Sequence, residues 1–252
     1  MELLIVSLAS LFAGFVDSIV GGGGLILVPA LFATFPAAHP ATLFGTNKGA
    51  SICGTGFATW QYSRQVPMRW MALWPAALAG LLASFAGAWL VTVVSPDFLR
   101  KLLPFVLLLV LLYTLVKKNL GHTHAPIFAG RAEQLMAAGI GMVVVFYDGF
   151  FWPVTGSFLV FLFVRLLGYD FLRASAAAKL MNTATNVAAL ALFIAKGHIW
   201  WHFVVPMALA NVAGSLLGTR LALKHGTGFV RGVFLLVVSA LILKTSYDAF
   251  LR

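Results

Sequence analysis

Charge is scarce in this sequence. The 252 residues include 17 Lys and Arg and only 7 Asp and Glu, while 61% are hydrophobic. A soluble globular domain is about half apolar and roughly a quarter charged, so this chain cannot build a polar shell, and lipid is left as the solvent for most of its surface. Cysteine is nearly absent as well. The single Cys53 excludes an internal disulfide and reads as a small buried apolar side chain. No Walker A loop, nucleophile elbow, H-E-x-x-H pair or dinucleotide fingerprint occurs, so no catalytic residue, cofactor or enzyme activity is expected. Low-complexity tracts and separate soluble domains are also missing.

The little charge there is leans one way. A formal net charge of +10 would suggest nucleic acid in a soluble protein. Here the basic residues stand in short clusters between apolar runs, such as Arg64 and Arg69, Arg100 and Lys101, Lys117 and Lys118, and Lys224 and Arg231. Membrane proteins hold their loops near anionic headgroups in this way, so the bilayer is the expected partner and nucleic acid is not. Glu2 stands where a signal peptide would carry basic residues, and the first apolar run reads as part of the mature protein.

Apolar segments run at about 3–34, 42–62, 70–95, 98–116, 133–164, 171–195, 199–222 and 229–250. The expected fold is therefore an all-α integral membrane protein with about eight hydrophobic segments. Sliding the sequence against itself by 131 residues aligns Asp17 with Asp148, Lys48 with Lys179, Trp70 with Trp201, Pro75 with Pro206 and Ser84 with Ser215. One constant offset matching rare residue types points to two tandem repeats. The first covers 1–116 and the second 133–252, and 117–132 is the connecting loop.

The first segment of each repeat is too long for one straight span, since 3–34 would make a helix of about 48 Å against a hydrocarbon core of about 30 Å. Asp17 and Gly21, Gly22, Gly23 and Gly24 interrupt it, and Asp148, Gly149, Pro153, Thr155 and Gly156 interrupt its counterpart. Helix should break at these points, giving either a kinked span or a re-entrant hairpin. With two hairpins, one side of the membrane receives Arg64, Arg69, Lys117, Lys118, Arg131, Arg165, Arg173, Arg220, Lys224 and Arg231. The other keeps Arg100, Lys101, Lys196, Lys244 and Arg252. That bias orients the chain, whereas single spans would leave the charges evenly divided. Hairpins also leave three ordinary spans per half, an odd number, so the repeats would be inverted.

Four ionisable residues, Asp17, Lys48, Asp148 and Lys179, lie inside apolar stretches, where charge is costly and commonly functional. The bland alternative is an Asp–Lys pair within each half that only fixes packing. Lys179, Asn182 and Asn186 share one helix face, and the offset of 131 matches them to Lys48, Ser51 and Thr55, with Thr46 and Asn47 beside the first stripe and Thr183 and Thr185 beside the second. Ammonium groups and exposed backbone N–H groups near a glycine break suit a small anion. Other features read as structure: Ala79, Ala83 and Gly87, matched by Ala210, Gly214 and Gly218, form a small-residue packing stripe. His198 and His202 read as part of an interfacial belt with Trp200 and Trp201 rather than as a metal site.

The run from Gly14 through Asp17 and the four glycines to Pro29, followed by Gly45-Thr-Asn-Lys48, resembles the TauE/SafE sulfite exporter family. So does Tyr147 to Phe158 taken with Ala178 to Asn186. The resemblance covers nearly the whole chain and implies a multi-pass plasma-membrane transporter, in bacteria usually of the inner membrane, associated with export of sulfite and sulfonates. This chain departs from the family pattern by carrying Trp152 and Val154 where glycine is usual. The expected function is a carrier of small anions, with a proton or sodium as coupling ion and a homodimeric assembly left open. The alternative is a membrane-embedded accessory protein that binds a partner without moving solute.

Overall fold

In the computed structural model, residues 1–90, 97–117, 119–151 and 155–250 are described, and their side chains are described except at 85–90, 97–104, 106, 147–151 and 248–250. Every regular element among them is helical. The order is α1 (Glu2–Val20), α2 (Gly24–Thr34), α3 (Pro40–Gln65), α4 (Trp70–Leu90), α5 (Asp97–Val116), α6 (Gly130–Phe151), α7 (Thr155–Leu167), α8 (Phe171–Ala195) and α9 (Trp201–Phe250). Three stretches are long and apolar enough to cross a membrane: Glu2–Val20, Phe171–Ala195 and Trp201–Tyr247. An α-helical membrane protein is the result.

The two overlong segments of the sequence each resolve into a pair of helices. After α1 the backbone enters the left-handed region at Gly21 and Gly22, with φ of 81° and 98°, which glycine adopts at no steric cost. The chain then doubles back, since a Cβ at Gly23 would lie 2.5 Å from the carbonyl oxygen of Ala13, about two turns before the end of α1. Leu27 and Leu31 of α2 accordingly share a buried cluster with Val6 and Ala13 of α1. At about 16 Å, α2 is too short to cross a membrane alone. The last two segments of the sequence are joined instead of separate: α9 runs through both, with one non-helical residue, Gly226, at φ 69° and ψ −160°. That residue divides α9 into two arms.

Caps and small residues set the other boundaries. Pro40 opens α3, where its missing N–H is no loss, and His39 Nδ1 accepts from Ala41 N. Asp170 caps α8 by accepting from Arg173 N at 2.8 Å. Gly214 and Gly218 of α9 lie directly against the backbone of α1, so the small-residue stripe closes a helix contact as the spacing suggested. Gly87 of the matching stripe lies outside the described side chains. Ser10 of α1 donates to the Met207 carbonyl at 2.8 Å, and Asn211 donates back to Ser10 O at 2.9 Å. Since Gly14 also meets Asn211 and Gly218 meets Phe15, α1 and the first arm of α9 run parallel. Gly141 against Ala76 and Gly80 against Val145 make α6 and α4 parallel too.

Two ends of the bundle are distinct. At one, Phe35 meets Trp200 and Phe203 at ring distances of 5.2 and 4.9 Å, and His39 stacks on His198 at 5.2 Å. At the other, Arg69 pairs with Glu133, Tyr169 donates to Glu133 Oε1 at 2.6 Å, and Arg231 donates to Thr114 O at 2.8 Å. The 119–129 loop straps across this second end through Ala125 N to Gly168 O, Ile127 N to Leu167 O and Gly121 O, which accepts from Phe171 N. One side chain departs from expectation: Cys53 is exposed on α3, on a helix whose opposite face is occupied by the polar stripe.

Candidate functional site

The two helix breaks meet in the middle of the molecule. A Cβ at Gly21 would stand 2.5 Å from Gly156 Cα, and Ser157 Oγ donates to Val20 O at 3.2 Å. From this contact α2 departs toward the His39 end and α7 toward the Tyr169 end. Their N-termini, where unsatisfied N–H groups concentrate, therefore lie close together. Gly156 is buried between Gly21 and the Asn182 amide nitrogen, which lies 3.0 Å from where a Cβ would stand. Bulk cannot be added at either glycine without separating the breaks.

Beside this junction Lys179 Nζ donates to Asp17 Oδ2 at 2.9 Å. The lysine side chain is fully buried, and the aspartate is 19% exposed. Asp17 Oδ1 also accepts from Gly23 N at 3.3 Å, so the carboxylate sits at the start of α2 as an N-terminal anion would. The alternative of an Asp–Lys pair within one half does not hold for Asp17. Asp17 of the first half pairs with Lys179 of the second, where α1 and α8 approach across the junction. Asp148 lies outside the described side chains.

That seam joins α3 to α8. Lys48 Nζ donates to Asn186 Oδ1 at 3.0 Å, and Asn186 Nδ2 donates to Thr55 Oγ1 at 3.2 Å. Thr59 and Thr183 share a hydroxyl contact at 2.9 Å, and Thr183 also donates to Lys179 O at 2.8 Å. Thr55 and Asn186 are separated by 131 positions, so two residues matched by the internal offset bond to each other. The structure thus assembles Asp17, Gly21, Gly22, Gly23, Gly156, Lys179, Asn182, Lys48, Thr55 and Asn186 into one continuous region. Thr155 is buried at the start of α7, and Ser51 is half-buried one turn past Lys48.

Other candidate residues are placed elsewhere. Thr46 is fully buried and accepts from Trp200 N at 3.1 Å, tying α3 to the start of α9. Asn47 is buried with its Oδ1 unpaired among the described residues. Gly24 faces open space. His198 receives a contact from Thr42 Oγ1 at 3.4 Å besides stacking on His39, and no cluster of three metal-binding side chains occurs among the described residues. Tyr62 of α3 is fully buried and donates to Ser18 O at 2.9 Å. Two contributors escaped the sequence reading: Thr59 continues the stripe one turn beyond Thr55, and Asn211 binds α1 to α9. Their signal was available, since each is a polar group within an apolar run.

A paired charge and a polar seam at membrane depth, set where two broken helices meet, define the class of a solute-handling membrane protein. The family profile described as sulfite exporter TauE/SafE matches residues 6–245, and the chain belongs to that family. A probable membrane transporter protein, ORF9, from a Sinorhizobium species is 35% identical over 245 residues, covering 95% of this chain and 90% of its own length. The probable membrane transporter protein YfcA of Escherichia coli K12 is 35% identical over 241 residues, covering 95% and 88%. A probable membrane transporter protein of Haemophilus influenzae is 33% identical over 240 residues, covering 94% and 91%. No solved structure matches the chain. The protein is a membrane transporter and not an enzyme.

Proposed function

We propose that the protein is a carrier that exports small anions across the bacterial inner membrane, with sulfite, a sulfonate or a related organosulfur or organic acid as substrate. The observation that carries this reading is the fully buried Lys179 ammonium held against Asp17 at the start of α2. A buried ammonium beside a helix N-terminus attracts an anion, and a partly exposed carboxylate can leave it. Lys48, Asn182, Asn186 and Thr55 supply further donors and hydroxyls along the seam, and the Gly21–Gly156 contact lets backbone come close.

The carrier reading includes an arrangement of two inverted repeats, 1–116 and 133–252, joined by the 117–132 loop. Supporting it, α2, α3 and α4 start at Gly24, Pro40 and Trp70, and α7, α8 and α9 start at Thr155, Phe171 and Trp201, each 131 positions later. The packing is crossed in the same sense: α1 lies along α9, and α6 lies along α4. An approximate two-fold axis through the Thr55–Asn186 contact would relate the halves, and rocking about such an axis is how inverted repeats alternate access. Both termini then face outward and the connecting loop faces the cytoplasm.

Reconstituted protein should take up labelled sulfite or methanesulfonate in a saturable manner and show counterflow. Neither behaviour is expected of an accessory protein that only binds a partner, so their absence with folded protein rejects the carrier. Reporter fusions after Leu120 and after Arg252 should give opposite sides of the membrane. The same side for both would reject the inverted arrangement.

A further inference from the structure

We propose that Asp17 is an internal stand-in for the substrate anion, so that each monovalent anion bound at Lys179 brings one proton onto the Asp17 carboxylate. This rests on the anion-carrier reading above and adds the coupling ion and the residue that carries it. The place an incoming anion needs is already filled: the carboxylate holds both the Lys179 ammonium, at 2.9 Å, and the first free N–H at the start of α2, at 3.3 Å. The fully buried lysine has no solvent-exposed surface with which to accept a second anion beside the first.

Charge balance gives the stoichiometry. The resting pair of ammonium and carboxylate sums to zero. An anion that takes the carboxylate's place while Asp17 stays ionised leaves the Asp17–Lys179 pair with one uncompensated negative charge, which low-dielectric surroundings penalise heavily. If the carboxylate takes up a proton as it leaves the ammonium, the pair returns to zero, with Lys179 still charged, the acid neutral and the anion bound. Asp17 is the better placed of the two to do this, because its side chain keeps 19% exposure while the lysine keeps none.

The groups around Asp17 allow such an exchange. From α8 it faces Lys179; from α3 comes Tyr62, whose hydroxyl is already committed to Ser18 O; from the break comes Gly23 N. Ser157 of α7 is committed to Val20 O, and the second arm of α9 brings the apolar Val237 to Gly22. Lys48 stands further along the seam on Asn186. Among these described groups Lys179 is the charge that meets Asp17 directly, so a change at one is felt by the other.

The test uses the purified full chain in detergent, weakly buffered, with methanesulfonate and sulfite as probes over roughly pH 6 to 8. Methanesulfonate stays ionised throughout, so its binding reports on the protein. The expected result is uptake of about one proton per methanesulfonate bound, read with a pH indicator, and affinity that weakens by up to about tenfold per pH unit as pH rises. Asp17→Asn should abolish the proton uptake and the pH dependence together. If that variant does not fold, the proton count on the unaltered chain decides alone. Methanesulfonate binding without proton uptake, or binding that requires sodium instead, overturns the proposal and leaves the carrier reading intact. If neither probe stabilises the protein at any pH, the anion site itself is wrong.

Discussion

Asp17 and Glu133 are both acids held by a base from another part of the chain, yet their surroundings differ in kind. Glu133 is 3% exposed and is held by the Arg69 guanidinium from the α3–α4 connection and by the Tyr169 hydroxyl from the α7–α8 connection. Burial and that hydrogen bond to Glu133 push the Tyr169 phenol above its usual range, so it remains a donor. At the next residue, Asp170 caps α8 and pairs with Arg173. These acids are saturated by short contacts from elements that the 119–129 loop also ties down. Asp17 instead lies on a helix that ends three residues later, keeps one long contact to Gly23 and is partly open. A saturated pair fixes a junction, whereas a pair set at a break can exchange partners.

Breaking the central pair should have the largest effect. Lys179→Met strands a carboxylate in the interior, at a cost of about 3–5 kcal/mol if it stays charged, and should abolish both transport and anion-induced thermal stabilisation. Adding Asp17→Asn should restore much of the folding, since the stranded charge is gone, but not the transport. Recovery of uptake in that double variant would reduce the central pair to the same structural role as Glu133.

Glycine substitutions at the break come next and should be graded by position. Gly21→Ala meets both a φ of 81° and the Gly156 backbone, for a cost of about 1–3 kcal/mol and loss of uptake. Gly23→Ala should be similar because of Ala13. Gly24→Ala has open space around it and should leave melting temperature and uptake nearly unchanged. Equal effects at all three positions would mean that chain stiffness matters here and contact does not.

At the saturated end, Glu133→Gln should lower stability by about 1.5–3 kcal/mol, as expected for lost hydrogen bonds to a charged group. Uptake per folded molecule should persist. A large drop in substrate affinity would show that this end shares in the solute pathway.

The smallest effect concerns His124 in the same region. Burial, and then the Arg173 charge, hold its pKa below the usual histidine value, against the pull of Asp170. The unfolded chain therefore binds the proton more readily, and stability falls as pH drops below about 6.5 toward the lower folded value. His124→Gln should flatten that acid-side decline slightly in melting curves; an unchanged slope would assign the decline to other groups.

Much of this molecule could be read from the sequence because the physics involved is local or compositional. Too few charges for a polar shell meant membrane, and the offset of 131 anticipated which helices would start in register. Four consecutive glycines marked a break because their backbone cost is paid residue by residue. The stripe of Lys179, Asn182 and Asn186 was legible from helical spacing alone. Thr59, on the same helix as Lys48, was as visible in principle and was passed over as an ordinary span residue.

What the sequence left open depends on which surfaces meet. Whether residues 3–34 kink or double back turned on the approach of Gly23 to Ala13, two residues of one segment that spacing does not connect. Thr46, a neighbour of Lys48 in the chain, faces the start of α9 because a helix turns about 100° per residue. Above all, the equal intervals from Asp17 to Lys48 and from Asp148 to Lys179 suggested pairs within each half. Only the tertiary structure decided that Asp17 reaches Lys179 across the junction, since a buried charge takes the nearest opposite charge in space, however far away it lies along the chain.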